Sequence, residues 1–401
     1  MADTRGKTRY LSFKRLCFTD LDTFLGCNLS PLLFSIYIND LCSILNNSGL
    51  GITLGNTMNV SCLLFADDVV LVGHNQDALN MLIAKSRLFF KNHKLKISDV
   101  KCKVLMHDDS SVNLVFHGCG SDSPLNLEQV LAYKYLGVQI SAPVFGLFKD
   151  FNEKVKKKAN SYLASTLSLV RSGPDRSDLA YTLWTSVALP SILYGCEVMP
   201  LTLATIKEIE KCQSAVGKFI LQLPRSTANV VSNIDAGLRP VWSVIAEKVL
   251  SFAQKVMRKP TSSLAKIAMS ENIDLGISSS YTKYLIKWKT DTNTFGLPAK
   301  SIKAAVTRAA TADVFQLQRA ASTSTFAMNT ATLSATNMWF KPKAWVSDSV
   351  FSKIIAQFRG CNLGLGNRGP TKDGQFFKLC PLCSKKGRDS LNNEVRRSTL
   401  V

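Results

Sequence analysis

Ser61–Asn75 reads SCLLFADDVVLVGHN. Two runs of strand-forming residues, Leu63-Leu64-Phe65 and Val69-Val70-Leu71-Val72, flank adjacent carboxylates at Asp67 and Asp68. Runs rich in β-branched and aromatic residues around an Asp-Asp centre predict a tight β-hairpin with its acids at the turn. Two readings of the pair are open at this point. Acids favour turns, so it fits a solvated loop tip. Adjacent ionised carboxylates against an apolar sheet are costly unless a cation compensates. The pair therefore also fits a seat for Mg²⁺, which takes oxygen ligands and serves phosphoryl transfer.

Outward from the hairpin the pattern alternates. On the N-terminal side, Ser30 fits a helix N-cap and Pro31 the first helical position, where a missing N–H costs nothing. Leu29, Leu32, Leu33, Ile36, Tyr37, Leu41, Ile44 and Leu45 recur at helical spacing, and Asn46-Asn47-Ser48-Gly49 closes the helix. Residues 1–25 are polar and weakly patterned, with no catalytic element expected; Asp20 and Asp22 sit too close to the helix to form a strand of their own. On the C-terminal side, residues 76–92 predict an amphipathic helix with Leu79, Leu82, Ile83, Ser86, Phe89 and Phe90 on one face. Short strands are expected at 94–97, 102–106 and around Val112, Leu114 and Phe116. Another is expected at Tyr133–Ile140 (YKYLGVQI), with a glycine in its interior that marks a bend. This order describes an α+β domain with an antiparallel sheet.

After Pro143 the chain turns helical. Phe148, Phe151, Val155, Ala159, Tyr162, Leu163 and Val170 line one helix, with Lys154, Lys156, Lys157 and Lys158 on its opposite side as a solvated or phosphate-contacting face. Further helices are predicted over 176–189, 202–222 and 240–258. Residues 320–336, with 13 Ala/Ser/Thr among 17, read as a weak helix or a linker.

Bulk properties narrow the classes. At 401 residues and 46% hydrophobic, the chain can bury one or more sizeable cores, and its length suggests two or three domains. It has no apolar run of about 18 residues and no signal-type leader, which predicts no membrane span. Eleven scattered cysteines suggest reduced thiols in an intracellular protein, nuclear or cytoplasmic. Net charge is +20, and it is unevenly placed. Residues 1–140 hold 13 Lys/Arg against 12 Asp/Glu; residues 141–401 hold 36 against 17. A basic rear behind a near-neutral front suggests a polyanion partner.

Three blocks in fixed order, GCNLSPLLFSIYINDL (26–41), LLFADDVVLVG (63–73) and YKYLGVQI (133–140), closely resemble the palm of non-LTR (LINE-like) retrotransposon reverse transcriptases. LKISDVKCKVL (95–105) is similar to the family's lysine-bearing segment. WTSVALPSILYGCEVMPLT (184–202) and IEKCQSAVGKFILQLPRST (209–227) resemble its helical thumb side. The resemblance implies RNA-templated DNA synthesis on a template-primer of RNA and DNA, with two Mg²⁺ ions held about 4 Å apart by carboxylates. On that analogy Asp67 is a direct metal ligand and Asp68 its adjacent partner. Gly26, Ser30 and Pro31 shape the nucleotide side, and Tyr135, Leu136 and Gly137 abut the primer. Lys101 lies near the pyrophosphate, with Lys103 competing for that role and a plain surface lysine as the other reading.

The sequence departs from the family. The strand that supplies a further metal-binding aspartate has no counterpart among the 25 residues before Gly26, nor do the fingers, and Leu25 stands where the family commonly has Gln. The resemblance therefore implies a partial palm at 26–142 behind an unassigned segment at 1–25. A helical thumb-like region at 143–235 and a basic helical region at 236–360 follow, then a truncated tail at 361–401. The function expected is that of a reverse transcriptase lacking a catalytic carboxylate, with a non-catalytic nucleic-acid-binding remnant as the alternative. Cys380-Pro381-Leu382-Cys383 is half a zinc site. In the family a similar pair is often followed by His and Cys. Here Arg396 soon ends the pattern, and His74, His93, His107 and His117 lie far upstream. Cys361 offers a third thiolate but no fourth ligand is evident, so zinc is not expected.

Overall fold

The computed structural model describes residues 10–17, 30–54, 58–97, 102–106, 115–116, 125–142, 148–171, 176–227, 229–274, 280–294 and 298–320. The chain divides into two compact units, Met1–Phe151 with Val256–Ser279 and Asn152–Lys255 with Ser280–Val401. The architecture mixes helices with mainly antiparallel sheets, the α+β class predicted.

The first unit opens with β1 (Tyr10–Cys17), α1 (Ser30–Asn46), β2 (Ile52–Leu54) and β3 (Met58–Val60). The Asp-Asp hairpin follows as β4 (Cys62–Phe65) and β5 (Asp68–Gly73), then α2 (Gln76–Asn92) and β6 (Lys96–Ile97). β7 (Lys103–Met106), β8 (Val115–Phe116), β9 (Leu125–Asn126) and β10 (Glu128–Val130) come next, before β11 (Ala132–Tyr135) and β12 (Val138–Ser141). The main sheet runs β10-β7-β1-β5-β4, with β6 also pairing β1. Every pair in it is antiparallel except β10 with β7.

Strand side chains alternate between faces, and both faces of this sheet are covered. Val69 and Leu71 of β5 join Ile38, Leu41 and Leu45 of α1 and Leu79, Leu82 and Phe90 of α2 in one core. Val70 and Val72 join Leu105 and Ala142 on the other side, packed by Tyr133, Tyr135 and Ile140. Each fully buried Val or Leu contributes about 1.5–3 kcal/mol, and β5 buries every residue from Val69 to Gly73. The α2 helix follows its predicted limits and buries the predicted face together with Ala78. The Asn75 side chain caps it, accepting the Ala78 N–H at 2.7 Å.

One expectation is corrected, the single strand over 133–140, and two elements carry more than the spacing told. Residues 1–25, weakly patterned and expected to hold no catalytic element, contribute a strand: β1 lies between β5 and β7. Its alternation is weak, and pairing on both edges, a non-local effect, makes it a strand. Tyr133–Ile140 is not one strand but a hairpin, β11 to β12, turned by Leu136 and Gly137 at φ 46° and 81°. Two positive φ values in succession make the type I′ turn, which Gly137 adopts without a Cβ penalty. In α1 the inward stripe is Ile38, Leu41 and Leu45, whereas Leu32, Leu33, Ile36, Tyr37 and Ile44 are exposed. The helix is apolar on more than one side, so spacing alone does not select the buried one.

The second unit is helical and receives most of α3 (Lys149–Val170). α4 (Arg176–Thr182), a π-helical turn (Leu183–Ala188) and α5 (Leu189–Ile192) follow one another without a break. Pro190, second in α5, has no N–H to donate, and the widened turn sits just ahead of it. α6 (Leu203–Ile220), α7 (Asn229–Asp235), α8 (Val241–Met257), α9 (Leu264–Asp274), α10 (Ser280–Thr292) and α11 (Ala299–Ala320) complete the described chain, with α9 belonging to the first unit. Ile209, Val216 and Ile220 of α6 are fully buried, as are Val241, Ile245 and Val249 of α8.

Candidate active site

The Phe65–Asp68 pair closes β4 and β5 around a two-residue loop, Ala66-Asp67. Of the two, Ala66 alone has a positive φ, 50°. That pattern belongs to a type II′ turn, whose first position favours glycine. A non-glycine residue there stores on the order of 1–3 kcal/mol of strain. Asp67 sits in the loop and Asp68 begins β5, both half-buried. Alternation along β5 puts Asp68 on the same face as Val70 and Val72, the face covered by β11 and β12. Tyr135, the last residue of β11, is brought close: its hydroxyl pKa is raised by burial and then by the charge of Asp68.

Two neighbours hold the hairpin. β1 runs antiparallel beside β5 with Arg15 opposite Asp68 and Lys14 opposite Val69. From the other edge, the Asn46 Oδ1 at the end of α1 accepts the backbone N–H of Ser61 at 2.8 Å and of Cys62 at 3.1 Å. Its Nδ2 donates to the Cys42 Sγ at 3.3 Å. Ser61 and Cys62 are fully buried, so no water replaces that acceptor. Read from the sequence, Asn46 only closed a helix; its role depends on β4 returning beside α1. Replacing Asn46 by Ala strands two buried N–H groups and is expected to cost about 1–3 kcal/mol. Thermal unfolding of the full chain checks this, and Asn46→Asp, which keeps an acceptor, should recover part of the loss. An unchanged Tm in Asn46→Ala refutes the tie.

Residues 14–140 match the family model for reverse transcriptase (RNA-dependent DNA polymerase). The retrovirus-related Pol polyprotein from type-1 retrotransposable element R2 of Popillia japonica is 26% identical over 218 residues. That match covers 51% of this chain and 28% of the polyprotein, so the chain spans less than a third of the relative's length. Residues 14–140 thus carry the similarity to a reverse transcriptase domain, and the matched relative belongs to a retrotransposable element.

The matched span starts inside β1, at Lys14, and takes in both hairpins. Within the reverse transcriptase domain, Ser30 and Pro31 open α1. Tyr135, Leu136 and Gly137 share the β11–β12 tip. Lys103 heads β7 and forms an ion pair with Glu128 of β10. Gly26, Lys101, Asp20 and Asp22 lie outside the described residues, as do Cys361, Cys380 and Cys383 and nearly all of 320–336. The four α3 lysines do not share a face. Lys154 and Lys157 are exposed, Lys156 pairs with Glu153 at 2.8 Å, and Lys158 donates to the Ser191 carbonyl. Among the described residues no three or more His, Cys, Asp or Glu side chains gather where a metal ion could sit. Asp67 and Asp68 nevertheless suit Mg²⁺, which is held by one or two carboxylates with water and substrate phosphate completing the shell. No helix among the described residues is long and apolar enough to cross a membrane.

Proposed function

We propose that the reverse transcriptase domain engages an RNA–DNA template-primer and holds Mg²⁺ at Asp67 and Asp68, and that this chain alone does not complete nucleotide addition. On this reading the sheet with α1 and α2 is the palm, the helices α3 to α7 are thumb-like, and those from α8 onward form a basic C-terminal region. Magnesium supplies neutralisation of phosphate charge when bound. Asp67 and Asp68 place their oxygens at the hairpin tip, and Tyr135 lines the side of Asp68 where a primer end abuts.

One observation carries the second half of the proposal: the strand beside the acids, β1, reads YLSFKRLC and contains no carboxylate. Its register sets Arg15 and Lys14 against Asp68 and Val69 instead. Phosphoryl transfer is nearly all positioning and charge stabilisation, and two carboxylates from one hairpin tip leave a second ion without a fixed place. A third acid from the neighbouring strand is what would fix a second ion. The alternative is a chain that binds nucleic acid without extending it, which the excess of Lys/Arg over Asp/Glu in residues 141–401 favours.

Primer extension on an RNA template with Mg²⁺ or Mn²⁺ tests this. The wild type is expected to match an Asp67→Ala control at background. β1 runs towards the hairpin tip, and Asp20 follows Cys17 by three residues, about 10 Å of extended chain. Extension by the wild type that is lost in Asp67→Ala and in either Asp20→Ala or Asp22→Ala overturns the proposal and assigns the missing ligand to that aspartate.

A further inference from the structure

Two cysteines meet where α1 lies against β4 in the first unit. Register sets Cys62 opposite Leu71, and its side chain enters the core that α1 covers. Cys42, one turn ahead of Asn46 on α1, packs against the same core. A shared neighbour holds both. The Asn46 Nδ2 donates to the Cys42 Sγ at 3.3 Å, while its Oδ1 accepts the Cys62 N–H at 3.1 Å. As a thiol, Cys42 donates to the Cys62 carbonyl at 3.5 Å. The Cys62 thiol in turn hydrogen-bonds the Cys42 sulfur, so the two side chains face each other across the joint. A disulfide closes only between side chains so placed.

The pair is asymmetric. Of the cysteines whose side chains are described, Cys42 alone is not buried; Cys62, Cys102, Cys196 and Cys212 are. The hydrogen bond from Cys62 lowers the pKa of the Cys42 thiol; burial opposes that effect, and the Asn46 amide adds to it. The bond to Cys42 and burial both raise the pKa of Cys62. Elsewhere burial pushes Cys196 up to about 12 and Cys212 up to about 11. The thiolate is the reactive form, so Cys42 is the sulfur an oxidant meets first, with Cys62 behind it as the second thiol.

We infer that Cys42 and Cys62 form a reversible oxidation site, at which a hydroperoxide converts the two thiols to a disulfide that pins α1 to β4. The Cys42 thiolate attacks one peroxide oxygen, the O–O bond breaks, and the hydroxide that leaves takes a proton from solvent. The Cys62 sulfur then attacks the resulting Cys42 sulfenic acid, the S–O bond breaks, and the Cys62 proton departs with the hydroxyl as water. The thiols lose two electrons and the peroxide gains them. A thiol reductant reverses the step by exchange. The cross-link joins residues 20 apart and closes a loop that contains β2 and β3. Closing it restricts the unfolded chain, so the oxidised form should be the more stable. The site does not depend on the proposed function, although β4 leads directly into the Asp67 turn.

Peptide mass mapping of the full chain under non-reducing conditions, before and after hydrogen peroxide, is the test. The Cys42–Cys62 linked peptide is expected to become the main product of the folded chain and to vanish on adding dithiothreitol. The linked chain should unfold several degrees above the reduced one. Cys42→Ser, at a half-exposed position, should abolish the link and that shift together. Cys62→Ser should leave Cys42 as a sulfenic acid that dimedone traps. The wild-type mapping stands without either variant. Absence of the link after peroxide, or Cys42 joined to a different cysteine, overturns the inference. A linked chain that unfolds earlier than the reduced chain overturns it too, because the joint must then distort to close.

Discussion

Binding of single-stranded RNA by the full chain is expected to weaken about 10³- to 10⁵-fold between roughly 50 and 200 mM salt, the behaviour of about six to ten neutralised phosphates. The expectation comes from where the charge lies. Residues 141–401 hold 36 Lys/Arg against 17 Asp/Glu, an excess that the near-neutral front of the chain does not share. Each phosphate met by a lysine releases condensed counterions, so log affinity should fall linearly with log salt. The α3 lysines contribute unequally. Lys154 and Lys157 are exposed, so removing both charges should reduce the salt slope by about two and weaken all sequences alike. Lys158 is turned to the Ser191 carbonyl, so Lys158→Ala should act on thermal stability more than on the slope. A flat salt dependence, or no binding at low salt, sinks the electrostatic reading.

The same residues show what a linear reading of the chain can reach. The four lysines occupy consecutive or nearly consecutive positions, and a helix spreads such neighbours around its axis by about 100° each. Counting charge found the run, but only packing shows that Lys158 belongs to the α5 end. Where one face is apolar and the other polar, as in α2, both the limits and the buried set were legible. The Asp-Asp hairpin was legible too, because its strands and loop are contiguous. β1 was not. Its partners lie some 60 and 90 residues downstream, and no local signal in YLSFKRLC announces two neighbours. The β11–β12 turn was missed for a different reason. A lone interior glycine signals a bend, and the type I′ geometry also needs Leu136 at positive φ, a conformation leucine seldom takes. Asn46 lay hidden for the first of these reasons, since its acceptor serves a strand that returns 15 residues later.

Replacing Trp184 by Ala should be the most damaging single change in the second unit, at about 3–5 kcal/mol. Trp184 is fully buried and is one of the largest side chains so placed. It sits in the π-helical turn that precedes α5, where the backbone is wider than an α-helix and depends on side-chain packing to stay ordered. Its loss leaves a cavity and also breaks a relay. The Trp184 Nε1 donates to Gln213 Oε1 at 3.2 Å, and Gln213 Nε2 donates to the Arg239 carbonyl at 2.8 Å, joining the turn to α6 and to the approach of α8. Gln213 is 1% exposed, so its freed oxygen has no water to turn to. Trp184→Phe keeps most of the apolar volume and loses the donor, and should cost about 1–3 kcal/mol. The difference between the two variants separates packing from the hydrogen bond. Against a total of about 5–15 kcal/mol for a folded domain, the alanine variant should lower the unfolding midpoint markedly or prevent folding. Chemical denaturation followed by tryptophan fluorescence and circular dichroism checks it. A Trp184→Ala chain that unfolds at the wild-type midpoint refutes the central place given to this side chain.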